Sequence, residues 1–297
     1  MAGLELEGVY VPSVTPFNED AEIVFDALAE FIGFWINSGI SGIVANASTG
    51  ESPYLNRNEL TEVLAFVKEE AGGRIQVIGG TGAMATRETI QLTSDAKDCG
   101  VDGVLITTPY FFRPSEDELY RHYVEVLSSV DIPAILYNVP KFTGYSIAPK
   151  TIARISEECS NLAGVKDSSN NPGNMAEIIR LCGDKMSCLS GAADMFLPTL
   201  SLGGKGAVLA IANVVPGTCV ELFGAFKEGD IKKAGKRQRI VSHVNNVLVT
   251  NNPQIAAIKH ALNIMGYNAG VPRRPLLPLS DLQKKSVEQS LSGTKLY

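Results

Sequence analysis

Short apolar runs rich in β-branched residues alternate with amphipathic stretches along most of the chain. The eight runs are VYVPSVT (9–15), GIVANAS (42–48), RIQVIGG (74–80), VDGVLITTP (101–109), IPAILYNVP (132–140), LAGVKDS (162–168), KMSCLSG (185–191) and KGAVLAIAN (205–213). Most of them lack a regular alternation of apolar and polar residues, so they are predicted to be strands buried on both faces. Such strands are typical of parallel sheets.

The stretches between these runs have the spacing of amphipathic helices. Apolar residues recur every three or four positions in two of them, at Phe25, Leu28, Ala29, Ile32 and Ile36, and at Leu60, Val63, Leu64 and Val67. Ser115 is followed three residues later by Glu118, which predicts a capping box at the start of another helix. Glycines near three expected helix ends predict left-handed caps at Gly39, Gly72 and Gly100.

Eight consecutive strand–helix units favour a closed barrel, which typically needs about 250 residues. A doubly wound open sheet is the alternative, but it more often carries a nucleotide fingerprint at its first turn. Here that turn reads VTPFNEDAEI and contains no GxGxxG motif. The sequence therefore predicts an α/β protein, a (β/α)8 TIM barrel over residues 1–230. No strong strand follows, so residues 231–297 are predicted to be additional C-terminal helices packed on the barrel.

Composition excludes several functional classes. The chain is 45% hydrophobic and 20% charged, and its net charge is -6. It therefore lacks the basic surface of a sequence-independent nucleic-acid binder. No apolar stretch approaches the ~20 residues of a membrane span, and the first residues do not resemble a secretory signal. We expect a protein that binds small molecules and neither nucleic acid nor membrane.

The cysteines and histidines indicate neither disulfides nor a metal site. An odd number of cysteines without a CxxC pair fits reduced thiols in a cytoplasmic protein, and these are Cys99, Cys159, Cys182, Cys188 and Cys219. The three histidines lie in predicted helices without metal-ligand partners at useful spacing. We therefore expect no metal.

Residues at the carboxyl ends of barrel strands face the active site, so the ends of the eight runs carry the candidate chemistry. They are Thr15, Ser48–Glu51, Gly79–Gly82, Thr107–Tyr110, Tyr137–Asn138, Lys166–Ser168, Ser190–Gly191 and Ala212–Asn213. This predicted rim is rich in hydroxyls and glycines and contains one lysine.

Lys166 interrupts an otherwise apolar strand, and Gly164 is expected to leave room beside it on the same face. A buried ammonium is costly unless it is paired or its pKa falls. An amine with a lowered pKa can attack a ketone. Pairing with Asp167, or a side chain that reaches out of the barrel mouth, is the alternative.

Tyr137 ends the preceding strand and should lie beside Lys166, where a phenol can transfer protons; packing alone is the alternative. Ser48 and Thr49 offer hydroxyls, and the turn to Gly50 offers backbone N–H groups that suit a carboxylate. The alternative for this turn is a polar cap on the following helix, with Glu51 as part of the cap.

Together these motifs resemble the dihydrodipicolinate synthase/N-acetylneuraminate lyase family of class I, pyruvate-dependent aldolases. The similar segments span almost the whole chain and are VTPF near the start, STGE (48–51), GGTG (79–82), TTPYFFRPS (107–115), YNVPKFTG (137–144), GVKDSS (164–169), SG (190–191), GGKGAV (203–208), AN (212–213) and RRPLLPLS (273–280). Each is weak alone, but their order and spacing are specific.

The resemblance implies a lyase in which Lys166 forms a Schiff base with pyruvate or another 2-oxo acid, without any other cofactor. Tyr137 would be the general acid/base, and Ser48 and Thr49 would bind the carboxylate and relay protons. The substrate-binding residues it implies are Gly50, Tyr110, Phe142, Gly191 and Val208. Family members usually form homotetramers built from dimers, in which a neighbouring subunit inserts an aromatic side chain near the relay.

Departures from the family pattern concern the second substrate. Dihydrodipicolinate synthases typically carry an arginine, which holds a carboxylate, where this chain has Phe142; Lys141 precedes it and offers only a point charge. Phe111 replaces a tyrosine whose hydroxyl completes the proton relay, so Tyr110 or a neighbouring-subunit group would have to supply it. Ala192 and Ala193 stand where sialic acid lyases carry acidic residues.

We therefore expect an aldehyde partner from a 2-keto-3-deoxy sugar acid or 4-hydroxy-2-oxoglutarate. The alternative within enzymes is condensation of pyruvate with aspartate semialdehyde, as in lysine biosynthesis. An alternative of another class is a catalytically weak barrel with a binding or regulatory role.

Overall fold

Eight parallel strands close into a barrel in the computed structural model of the chain, which describes residues 4–292. The strands follow chain order and β8 pairs with β1. They are β1 (Gly8–Pro12), β2 (Gly42–Ala45), β3 (Gln76–Gly80), β4 (Gly103–Thr107), β5 (Ala134–Asn138), β6 (Leu162–Asp167), β7 (Ser187–Ser190) and β8 (Gly206–Val208). The predicted (β/α)8 fold is confirmed; residues 1–3 and 293–297 of the two predicted segments lie outside the described residues.

Helices follow the strands and surround the barrel. They are α1 (Phe25–Asn37), α2 (Arg57–Ala71), α3 (Thr86–Asp98), α4 (Glu116–Ser129), α5 (Pro140–Thr143), α6 (Pro149–Glu158), α7 (Pro172–Cys182), α8 (Phe196–Ser201), α9 (Pro216–Lys227), α10 (Ile231–Asn245), α11 (Gln254–Ile264) and α12 (Asp281–Ser292). A π-helical segment, Asn246–Thr250, follows α10 directly. Within the described part of the chain, none of these helices is long and apolar enough to cross a membrane.

The strands end earlier than their apolar runs. The run 42–48 contributes only Gly42–Ala45 to the sheet, and a 3-10 turn begins at Ser48. The run 205–213 likewise leaves the sheet after Val208 and continues as a 3-10 turn, Ala210–Asn213. The last residues of these runs therefore build turns at the barrel mouth, where their side chains line a rim.

Large side chains fill the amino-terminal end of the barrel opposite strand glycines. A Cβ on Gly103 would lie 2.7 Å from Leu4, and a Cβ on Gly42 would lie 2.7 Å from the Tyr10 ring. Tyr10 is buried and donates a hydrogen bond to Gln76 Oε1 at 2.5 Å. The described residues therefore pack the barrel interior at this end, and the active site is expected at the carboxyl ends of the strands, as in other barrels of this type.

Local signals fix several helices as predicted. Ser115 and Glu118 form the expected capping box at α4. Asn56 caps α2 and forms a second capping box with Glu59. The alternative that Glu51 belongs to this cap does not hold, because its carboxylate pairs with Lys259 of α11.

Candidate active site

Lys166 and Tyr137 lie side by side at the mouth of the barrel. Their Cα atoms are register partners on β6 and β5, so both side chains point to the same side of the sheet. Lys166 Nζ lies 4.0 Å from the centroid of the Tyr137 ring. The lysine is 3% exposed and the tyrosine 4%. An amine and a phenol thus share one buried position at the end of neighbouring strands.

Lys166 has no ion-pair partner among residues 4–292. The Asp167 carboxylate faces away from the barrel and accepts hydrogen bonds from Asn138 Nδ2 and Ser169 Oγ, each at 2.6 Å. Burial lowers the pKa of Lys166 below its usual value of 10.5, and the nearby Tyr137 opposes this only in part. The uncharged, nucleophilic amine is therefore more populated than in a solvated lysine.

Tyr137 is an acid made stronger by its neighbours. Burial alone would raise its pKa, but the Lys166 ammonium and the hydroxyls of Ser48 and Ser168 outweigh burial, so the pKa lies below the usual value of 10.0. The Ser168 hydroxyl is buried and has no other hydrogen-bond partner in the described residues. The phenol can therefore give up and regain a proton more readily than an ordinary buried tyrosine.

Gly191 allows the Lys166 and Ser168 side chains to pack directly against the backbone of the neighbouring strand end. A Cβ on Gly191 would lie 3.0 Å from Lys166 Cε and 2.0 Å from Ser168 Oγ. The expectation that Gly164 leaves room for Lys166 is wrong, since a Cβ on Gly164 would meet Leu6 Cδ1 at 3.0 Å and the Ser187 carbonyl oxygen at 2.7 Å and not the lysine. Gly164 faces the packed end of the barrel, one layer below the lysine.

The turn Ser48–Glu51, called the relay turn below, brings Ser48 and Thr49 to the cavity. Ser48 begins a 3-10 turn, and the Gly50 N–H donates to the Ala47 carbonyl oxygen at 2.9 Å. Thr15 Oγ1 donates to the Gly50 carbonyl oxygen at 2.7 Å. Gly50 lies so close to β1 that a Cβ would be 2.8 Å from the Ser13 carbonyl oxygen, so only glycine fits there.

A cleft of about 330 Å³ is lined by Lys166, Tyr137, Ser48, Thr49, Gly191 and Val208. Lys141 and Phe142 belong to the outer wall of this cleft. The other residues of the wall were not predicted from the sequence, and they are Asn170, Asp194, Asn245, Val249, Thr250 and Gln254. Four of them come from α10, the π-helical segment and α11, which had been expected only to pack on the barrel.

The outer wall carries one cation and one anion. Lys141 Nζ contacts Gln254 Oε1 at 3.2 Å and the Val249 carbonyl oxygen at 3.5 Å, both of which are neutral. Asp194 Oδ2 accepts a hydrogen bond from Asn245 Nδ2 at 3.0 Å. Phe142 is 51% exposed, and its ring centroid is 5.6 Å from Lys141 Nζ. This wall can therefore contact both charges of a small zwitterion.

Two predicted substrate-binding residues lie outside the cleft lining, namely Gly50 and Tyr110. Gly50 lies within the relay turn and is buried, and burial raises the pKa of the half-buried Tyr110. Phe111 follows with a φ of 81° and is 83% exposed. Asn138 and Asn213 of the predicted rim are buried and do not line the cleft. Their side chains form hydrogen bonds with backbone groups, and Asn138 also donates to Asp167.

Known proteins share this architecture over nearly the whole chain. A model of the dihydrodipicolinate synthetase family matches residues 5–294. The 4-hydroxy-tetrahydrodipicolinate synthase of Methanocaldococcus jannaschii is 40% identical over 291 residues, which cover 98% of this chain and 99% of that protein.

Solved structures of this family have the same fold over nearly the whole chain. Dihydrodipicolinate synthase from Aquifex aeolicus superposes with a TM-score of 0.93 and 35% identity, covering 98% of this chain and 99% of that one. YagE, a prophage protein of the dihydrodipicolinic acid synthase family from E. coli K12 solved in complex with pyruvate, gives a TM-score of 0.94 and 30% identity at the same coverage.

Proposed function

Since the chain belongs to the dihydrodipicolinate synthetase family and is a lyase, we propose that it condenses pyruvate, held as a Schiff base on Lys166, with aspartate semialdehyde. The names of the relatives support this reaction better than the expected cleavage of a 2-keto-3-deoxy sugar acid or of 4-hydroxy-2-oxoglutarate. The observation within the chain that carries the proposal is the buried Lys166, which lies against Tyr137 and has no ion-pair partner among residues 4–292.

The first step is formation of the imine. The neutral Lys166 amine adds to C2 of pyruvate, and the carbinolamine loses its oxygen as water after a proton reaches it. Tyr137 is the nearest proton donor, and its lowered pKa supports this role. Ser48 and Thr49 lie at the same cleft and would hold the pyruvate carboxylate with hydroxyl and backbone N–H donors.

The second step makes the carbon–carbon bond. Loss of a proton from C3 of the imine gives an enamine, with Tyr137 accepting that proton through the relay. The enamine carbon attacks the aldehyde carbon, and the resulting alkoxide takes a proton to become a hydroxyl. The amino group of the second substrate then attacks the imine carbon and displaces Lys166, which closes the ring and regenerates the amine.

The outer wall supports an amino-acid aldehyde as the second substrate. Aspartate semialdehyde carries a carboxylate and an amino group, and the wall offers the Lys141 ammonium and the Asp194 carboxylate. Lys141 has only neutral partners within the described residues, so its charge is free for a ligand. A lysine binds a carboxylate as a point charge and not with the two-pronged geometry of arginine.

A substrate comparison tests this proposal. We expect turnover of pyruvate with aspartate semialdehyde, a raised KM for the aldehyde in Lys141→Met, and little change in the KM for pyruvate. Lys141→Arg is the matched control and should keep most of the affinity. Cleavage of 2-keto-3-deoxy sugar acids at higher kcat/KM than the condensation would contradict the proposed substrate, and absence of both activities would favour a binding or regulatory barrel.

We further propose a homotetramer built from dimers that acts in the cytoplasm. The exposed rings of Phe111 and Phe112, whose centroids are 5.1 Å apart, support burial against a second subunit. The five free thiols suit a reducing compartment. Sedimentation velocity measures the assembly, and a monomer at micromolar concentration would contradict it.

A further inference from the structure

Glu51 adopts a backbone conformation that its side chain does not favour. Its φ is 60°, in the left-handed region where glycine or asparagine is the usual choice. It ends the relay turn, and its N–H donates to the Ser48 carbonyl oxygen at 3.2 Å. A glutamate that keeps this conformation needs compensating contacts, and these come from its carboxylate.

That carboxylate is fully buried and bound from two sides. Glu51 Oε1 lies 2.6 Å from Lys259 Nζ, and the two side chains are 0% and 1% exposed. The Arg273 backbone N–H donates to Glu51 Oε2 at 2.8 Å. Lys259 Nζ also donates to the Val271 carbonyl oxygen at 3.0 Å. Both charges therefore have partners, without which burial would be strongly unfavourable.

The surroundings make this pair a junction between distant parts of the chain. Lys259 Nζ and the Arg273 guanidinium each lie 4.3 Å from the Phe17 ring centroid. Arg273 Nη2 in turn donates to Glu59 Oε1 at 2.7 Å, at the start of α2. The pair thus joins the relay turn to α2, to the loop after β1 and to the C-terminal helices.

Helix α11 connects the pair to the outer wall of the cleft. Lys259 lies in the middle of this helix, and Gln254, its first residue, lines the cleft and contacts Lys141. Neither Glu51 nor Lys259 lines the cleft itself. Any effect of the pair on the reaction must therefore pass through Ser48 and Thr49 at one end and through Gln254 at the other.

We propose that Glu51 and Lys259 are positioning residues, whose buried ion pair holds Ser48 and Thr49 at the distance from Tyr137 that proton transfer needs. This inference rests on the proposed function. A displacement of about 1 Å in a reacting group can cost up to about 100-fold in rate. Loss of the pair should therefore slow proton transfer much more than it weakens pyruvate binding.

Pyruvate alone provides the test, without the aldehyde. Borohydride trapping measures the imine on Lys166, and exchange of the pyruvate methyl protons with deuterium, followed by NMR, measures proton transfer at C3. In Glu51→Gln we expect trapping to remain and exchange to fall by about 10- to 100-fold. Because Ser48 and Thr49 also hold the pyruvate carboxylate, the KM for pyruvate should rise as well, but by a smaller factor than the loss in exchange.

Two further variants distinguish an effect on the position of Ser48 and Thr49 from an effect on the stability of the fold. Glu51→Gln combined with Lys259→Met removes both buried charges, so thermal stability should recover while exchange stays slow. Val287→Ala, on α12, removes buried apolar volume at a residue that does not line the cleft, and it should lower the Tm with exchange unchanged. The double variant also serves if Glu51→Gln does not fold.

Two results would overturn the inference. One is normal exchange in Glu51→Gln, and the other is a double variant that regains exchange together with stability, since the pair would then only stabilise the fold. A wild-type protein that traps no pyruvate would contradict the proposed function, and the inference with it. The two failures are therefore distinguished by the wild-type trapping experiment.

Discussion

Replacing Gly191 with alanine would push a methyl group against Lys166 and Ser168. The added Cβ would lie 2.0 Å from Ser168 Oγ, 3.1 Å from Ser168 Cβ and 3.0 Å from Lys166 Cε. Rotation of the serine hydroxyl removes the first overlap. The two carbon contacts remain, and each is about 0.4–0.5 Å shorter than the ~3.5 Å at which carbon atoms attract. The lysine has little room to yield, since Tyr137 packs on its other side.

The free-energy cost of this overlap determines how much more slowly the imine should form. Excess volume in a well-packed site typically costs about 1–3 kcal/mol. If the strain falls on the attacking amine, each ~1.4 kcal/mol lowers the rate of imine formation tenfold. We therefore expect Gly191→Ala to form the pyruvate adduct about 5- to 150-fold more slowly than the wild type. Rotation of Ser168 should also remove its hydroxyl from Tyr137.

The assay is the time course of the borohydride-trapped adduct at saturating pyruvate, measured beside the Tm. Gly224→Ala is the matched control, because it adds the same methyl group to α9 at a position with no atom within 4 Å. It should leave adduct formation unchanged and stabilise the protein by up to about 1 kcal/mol. A wild-type rate of adduct formation in Gly191→Ala would refute the requirement for a glycine against Lys166.

Three further predictions address the mechanism and the fold. Tyr137→Phe should still trap pyruvate but exchange its methyl protons about 100- to 10,000-fold more slowly, and unchanged exchange would remove the tyrosine from proton transfer. Because burial lowers the pKa of Lys166, the rate of adduct formation should rise with pH and level off below pH 10.5; a rate still rising past that value would contradict the lowered pKa. Asn213→Ala should lower the free energy of unfolding by at least about 2 kcal/mol, because it leaves the buried Val14 N–H and Pro12 carbonyl oxygen without their side-chain partner. Urea titration measures this loss, and a loss below about 0.5 kcal/mol would contradict the prediction.

The sequence was sufficient for the barrel and for its central pair of residues. Eight apolar runs, most of them without alternation, locate all eight strands, because strands covered on both faces are apolar at nearly every position. Consecutive parallel strands are neighbours in such a barrel, which is why Tyr137 and Lys166 could be expected side by side. Asp167, which the sequence left open as a partner of the lysine, faces outward because successive strand residues alternate in direction.

The outer wall and the relay-turn anchor could not be predicted from local pattern. Asn245 and Gln254 lie in helices whose spacing shows only that one face is buried, and not that a helix end reaches the barrel mouth. Glu51 looked like a helix cap because its partner Lys259 is more than 200 positions later in the chain. Gly164 was misplaced because strand periodicity gives the face of a residue but not its depth in the barrel.

Trapping of pyruvate on Lys166 tests the central claim most directly. Wild-type protein and Lys166→Ala are incubated with pyruvate and borohydride, and intact mass followed by peptide mapping locates the adduct. We predict one reduced adduct per wild-type chain, on Lys166, and none on the variant, although Lys259 is a second buried lysine with a lowered pKa, about 8, in the same protein. An adduct that persists in Lys166→Ala, or a wild-type chain that traps no 2-oxo acid, would contradict the account.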